Sequence, residues 1–236
     1  MTDRLLPRLN TDDWDRLAAR QERQRRIVRV LLYVFLTALV IVYSMPGIGV
    51  LLTSFKTTAE ISAEGLWSLP DSLHFGNYEE AWTNGNVSTY TINSFLVTIP
   101  ATVLSIGLGV LLGYVFSQLP FRGSEALFIF VVAGMFFPPQ IVLVPLFRLF
   151  NTIGLYDTLW PLIMVHVGFG LPICTLILRN FFSTVPAAIR EAAIIDGANE
   201  GQILLRVMLP ISVPALAVLA TLQFTWIWND FLWPLI

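Results

Sequence analysis

Charged side chains are scarce: 13% of the 236 residues are Asp, Glu, Lys or Arg, about half the roughly 25% of a soluble domain. Cysteine occurs once, as Cys174, which excludes an intrachain disulfide and a Cys-based metal site and says little about compartment. The two histidines, His74 and His166, lie on different segments. No cluster of His, Asp and Glu supplies catalytic groups or a metal site, so the chain is not read as a polytopic membrane enzyme. No G-x-x-x-x-G-K-[ST] stretch is present, so the chain does not hold ATP by a Walker loop. If it transports, its energy comes from another polypeptide. Within the long apolar runs ionisable residues are nearly missing: His166 lies inside one run, and Arg148 and Asp230 lie toward outer ends. Ion-coupled carriers need such groups along the path, and a lone His166 reads as a packing histidine.

Apolar residues make up 56% of the chain, and they are gathered rather than dispersed. Five runs stand out, at about 27–52, 95–116, 126–147, 159–178 and 210–236. A hydrocarbon core of about 30 Å takes about 20 helical residues, and each run reaches that length. None alternates as barrel strands do, and backbone groups in lipid must bond within their own segment, so helices are expected. The predicted fold class is an all-α polytopic membrane protein.

Arginine sets the orientation. Arg4, Arg8, Arg16, Arg20, Arg23, Arg25, Arg26 and Arg29 crowd the first run, whereas the following loop, about 42 residues long, has only Lys56 beside five carboxylates. An N-terminus in the cytoplasm follows. Threaded onward, Arg122, Arg179, Arg190 and Arg206 fall inside and Arg148 outside, so that twelve of fourteen cations are cytoplasmic. The first run is too long for a signal-peptide core and reads as a retained helix. Residues 11–29 form a helical lead-in, with Thr11 or Asp12 as cap and Asp13 and Asp15 in its first turn. It is either a solvated positive anchor or a contact for a partner or anionic lipid.

One inner loop, 183–210, departs from the apolar pattern, with Arg190, Glu191, Asp196, Glu200 and Arg206 in "REAAIIDGANEGQILLRVMLP". Pro186 suits a first helical turn with Ser183 or Thr184 as cap, and Gly197 suits the stop after Asp196. Asn199 with Gln202 suits the cap of a second short helix, which Pro210 is expected to end. Ile189, Ala192 and Ala193 share a face of the first helix. Ile203, Leu204, Val207 and Met208 form an apolar stripe on the second. Two amphipathic helices in water with nothing of their own to pack on call for a partner. The bland alternative is a loop lying on the bilayer.

These residues resemble the EAA loop of binding-protein-dependent ABC importer permeases: Glu191, Ala192, Ala193, Asp196, Gly197, Ala198, Leu209, Pro210 and Pro214 match its pattern. "TSFKTTAEI", "NSFLVT", "FFPPQIVLVPLFRLFNTIGLYDT" and "WNDFLWPLI" are similar to segments of the maltose-type carbohydrate branch, in particular its shorter permease subunit. The resemblance runs from about Arg26 to the end. It implies the transmembrane domain of a type I ABC importer in the cell inner (plasma) membrane. The partners implied are a second permease, two ATPase subunits that bind ATP and Mg, and an extracytoplasmic solute-binding protein. The chain itself is not an enzyme, holds no cofactor, and binds lipid but no nucleic acid.

On this reading residues 1–26 are a cytoplasmic segment, 27–52 the first transmembrane helix, 53–94 an extracytoplasmic loop, and 95–236 the importer core. Arg190, Glu191, Ala192, Ala193, Asp196, Gly197, Ala198, Leu209 and Pro210 would couple to the ATPase. Family members carry a sixth span, and a truncated C-terminus is the expectation here. Trp226, Trp228, Asn229 and Asp230, with Trp233, form either a sugar-contacting surface or an interfacial aromatic belt. Pro138, Pro139 and Pro145 around Gln140 break or kink the third run, either to line the pathway or to pack. The rival class is a channel or secondary carrier that works without an ATPase.

Overall fold

A computed structural model describes the backbone of residues 11–235 and side chains from Arg20 to Leu235. Arg4, Arg8 and the side chains of Thr11, Asp12, Asp13, Asp15 and Arg16 lie outside the described residues. The chain divides between Gly85 and Asn86 into two units.

The first unit holds helix α1, Thr11–Ser54, whose 44 residues extend about 66 Å at 1.5 Å per residue. Its apolar part, Arg20–Ser54, is long enough to cross a membrane and has none of its apolar window buried. Beyond it, α2 (Thr58–Glu64) opens with a capping box: Glu60 N–H donates to Thr57 Oγ1 at 3.2 Å and Thr57 N–H to Glu60 Oε2 at 2.6 Å. Lys56, expected only as a stray outer cation, is buried; its Nζ donates to Gly65 O at 3.1 Å and Ser68 Oγ at 2.5 Å. Asn77 in α3 (Gly76–Thr83) donates to the carbonyls of Ser54 and Lys56. These polar bonds and the Phe55–Phe75 edge contact at 5.4 Å make the loop after α1 a folded piece.

In the second unit α4 (Val87–Gln118) and α7 (Trp160–Ser183) lie along each other. Their contact is a glycine seam. A Cβ on Gly109 would come 2.5 Å from Cys174 Cβ, and one on Gly113 would come 2.9 Å from Arg179 N. Small residues four apart let helix backbones approach where lipid gives no hydrophobic drive. Helix α4 begins at Val87, eight residues before the apolar run read from Phe95.

The third run is broken into two helices. Helix α5 (Ser124–Ala133) passes through a 3₁₀ turn, Gly134–Phe136, into α6 (Pro139–Thr152), with a 95° bend between them. Pro138 has no N–H to donate and keeps Phe137 out of the helical region, so the pair Pro138–Pro139 ends one helix and starts the next. Pro145 stays within α6. The fifth run is broken too: after α8 (Ala187–Ile195) and α9 (Glu200–Ile203) come a π-helical turn, Leu204–Met208, and α10 (Leu209–Ile211), then α11 (Val213–Trp228) at 76°. Among the described residues three helices can cross a membrane outright, or five spans if each bent pair counts as one.

Candidate functional site

The loop after α7 forms the expected helical hairpin, with differences in its caps. Pro186 is the residue before α8 rather than in its first turn, at ψ 132. Ser183 and Thr184 do not cap α8; their hydroxyls donate backward to Arg179 O and Phe181 O in the last turns of α7. The stop is a Schellman motif: Ala198 N–H reaches Ala193 O at 3.0 Å, Gly197 N–H reaches Ile194 O at 2.9 Å, and Gly197 sits at φ +82. Asn199 and Gln202 form a reciprocal capping box on α9.

Pro210 does not end the second helix. It sits inside α10, and the chain bends two residues later at Ser212. The π turn that precedes it, in which Leu209 N–H reaches back to Leu204 O, widens the helix where a proline ring would otherwise crowd a carbonyl.

The apolar stripe on the second helix also differs from expectation. Ile203, Leu204 and Met208 are buried against Val110, Tyr114, Cys174, Leu178 and Phe182 of α4 and α7, so this stripe needs no outside partner. Ala193, Ala198 and Leu209 pack on the same cluster, and Pro210 is exposed. What remains free is α8: Glu191, Ala192, Asp196 and Gly197 are exposed, and Ile195 is 85% exposed.

Arg190, expected at the coupling face, instead turns inward. Its Nη2 donates to Glu200 Oε1, while Tyr114 of α4 donates its hydroxyl to Glu200 Oε2 at 2.5 Å. The Glu200 carboxylate, then Tyr114, holds the guanidinium pKa above its ordinary value. Tyr114 was not singled out from the sequence, because it lies 86 residues from Glu200 and no spacing links them.

The candidate pathway residues do not converge. Gln140 is exposed at the start of α6, and Trp226 is 58% exposed. Trp228 stacks on Phe224 at 5.5 Å and meets Phe95 edge-on at 4.9 Å. Asn229 donates to Thr225 O and closes α11. Trp233 is buried elsewhere, with Phe150 and Val165. Asp230 accepts from the backbone of Leu232 and Trp233 and pairs with His166 Nε2 at 3.6 Å. That pair joins residues read separately in the sequence, one of them as a lone packing histidine. A cavity of about 560 Å³ is lined by Phe147, Phe150, Tyr156, Asp157 and Trp233, among others.

Broken spans around a glycine-seamed helix pair, with a capped hairpin at one end, define a transmembrane domain of the type I ABC importer fold. The model of the family described as binding-protein-dependent transport system inner membrane component matches residues 105–236, and the chain belongs to that family. It is 37% identical, over 93% of its length and 71% of the relative's, to the diacetylchitobiose uptake system permease protein NgcG of Streptomyces coelicolor. It is 33% identical, over 88% of its length and 72% of the relative's, to the xylose/arabinose import permease protein XacI of Haloferax volcanii. Among solved structures it matches a chain in the crystal structure of a bacterial ABC transporter involved in the import of the acidic polysaccharide alginate. The TM-score is 0.77 at 25% identity, covering 97% of this chain and 76% of that one.

Proposed function

We propose that this chain is a permease subunit of an ATP-driven importer for a carbohydrate. It forms the translocation pathway with a second permease, receives solute from an extracytoplasmic binding protein, and meets ATPase subunits through the loop 183–210. ATP and Mg are bound, and ATP hydrolysed, on those ATPases. The sugar-linked names of the relatives support the substrate class. The arginine distribution supports a cytoplasmic N-terminus and loop.

The observation that carries the coupling assignment is the exposure of α8 on a hairpin whose following stretch packs Ile203, Leu204 and Met208 against α4 and α7. A short helix held by a Schellman stop at one end and by packed neighbours behind it is a rigid element facing outward. Glu191 projects a charge from that face, and removing one partner of a buried interfacial pair costs about 2–5 kcal/mol. Glu191→Ala should therefore leave the permease in the membrane at normal abundance while the ATPase is lost on purification. In proteoliposomes uptake should require ATP and the binding protein and persist when an ionophore collapses ion gradients. Abolition by ionophore at constant ATP would support the secondary-carrier reading instead.

A further inference from the structure

We propose that Tyr114 is the positioning residue through which motion of α8 enters the membrane helices, acting by its hydroxyl on Glu200. This rests on the importer reading above and names the residue that makes its coupling loop effective.

The covalent connections of α8 are poor transmitters. Toward α7 the chain passes through Thr184, Val185 and Pro186, and Pro186 leaves the helical region at ψ 132. Toward α11 it passes through the Gly197 turn, the π turn Leu204–Met208 and the 76° bend at Ser212. Each interrupts regular helical bonding, so no unbroken helix runs from α8 into α7 or α11. Ala193, Ala198, Ile203, Leu204 and Met208 pack the hairpin on α4 and α7, but apolar contact is non-directional and does not fix α8 to a particular group of a spanning helix.

One carboxylate adds an oriented tie to that packing. Glu200 uses both oxygens, Oε1 for Arg190 of α8 and Oε2 for the phenol of Tyr114, so α8, α9 and α4 meet at a single group. Tyr114 is itself fixed: it is 3% exposed, one turn from the end of α4, and its ring meets Phe182 of α7 edge-on at 6.1 Å. Gln118, one turn further on, donates to Phe182 O at 2.9 Å, so α4 and α7 are bound together at this level. Arg190 precedes Glu191, the charge on the exposed face. A pull on α8 therefore reaches α4 and α7 through a short chain of charge-assisted bonds, which are stronger and better oriented than apolar contact.

The test uses the full complex of both permeases, ATPases and binding protein in proteoliposomes, reading ATPase retained, ATP hydrolysed and solute taken up. Loss of ATP-dependent uptake in the unmutated complex would refute the importer reading itself, and with it this proposal. Given that uptake, Tyr114→Phe keeps the ring on Phe182 and removes only the hydroxyl. It should retain the ATPase and move about tenfold less solute per ATP, the shift that loss of one charge-assisted bond produces. Mere instability would lower hydrolysis and uptake together and leave their ratio unchanged. Because one Arg190 nitrogen serves the carboxylate, Arg190→Lys should hold the ratio better than Arg190→Gln. Tyr114→Phe combined with Glu200→Gln should be little worse than either alone, since both break one link. An unchanged solute-to-ATP ratio in Tyr114→Phe, or loss of the ATPase from that variant, would overturn the proposal.

Discussion

Gly197 separates conformational cost from steric cost. Its φ of +82 lies in the left-handed region, yet a Cβ built there meets no atom within 4 Å. Substitution therefore has no clash to relieve, and its cost is that of holding an L-residue in this backbone state. For alanine that is about 1–2 kcal/mol. Asparagine bonds locally in this conformation and suffers less, whereas the branched Cβ of valine suffers more. The strain falls on the Schellman bonds from Gly197 and Ala198 N–H to Ile194 and Ala193 O. One or two kcal/mol is a factor of about 5–30 in a local equilibrium. Hydrogen exchange of the 193–203 segment in the purified membrane complex should thus quicken in the order Gly197→Asn, Gly197→Ala, Gly197→Val, with the alanine variant about 5–30-fold faster than the parent. Exchange in the α4–α7 core should not change. Equal exchange in the asparagine and valine variants would refute the reasoning, because it would mean that the left-handed geometry does not limit the turn.

The glycine seam predicts the opposite kind of cost: Gly113→Ala puts a methyl about 2.9 Å from backbone N of Arg179, so α4 and α7 must separate, at about 1–3 kcal/mol, read as a lower melting temperature in detergent. Backbone N–H of Thr57 first, then its hydroxyl, holds the Glu60 carboxyl below the usual range. A carboxyl lowered in the folded state contributes its stability above the unfolded value of about 4.3. That contribution is lost as pH falls through the lowered value, so α2 should loosen on acidification, and Glu60→Gln should flatten the response in exchange experiments. Finally, a topology reporter near Glu64 should report the outside and one near Glu200 the inside; both on one side would refute the orientation drawn from arginine.

Local chemistry made several of these features legible in the sequence. Apolar runs of about twenty residues set the spans, because backbone groups in lipid bond only within helices. The pair Pro138–Pro139 marked a break, and Gly197, Asn199 and Gln202 marked a stop and a restart, since capping is decided within four residues of chain. The cap of α8 was misread because Ser183 and Thr184 are as able to close the helix behind as to open the one ahead, and only the path of the backbone selects between them. The width of the turn before Pro210 was also out of reach, as a proline dictates what it cannot bond to and leaves open where the strain is taken up.

Tertiary structure alone decided which faces meet. Periodicity shows that Ile203, Leu204 and Met208 share a stripe; it does not show that α4 and α7 cover them, which leaves α8 as the free surface. Likewise Tyr114 with Glu200, and His166 with Asp230, are partners across 86 and 64 residues of chain. Such pairs arise from helix packing, and the Gly109–Gly113 seam that sets it is read only where Cys174 and Leu178 are seen against it. The sequence thus determined the spans and the turns, because those depend on residues near in the chain. Partnership between distant polar groups depends on how helices cross, and that is a property of the assembled fold.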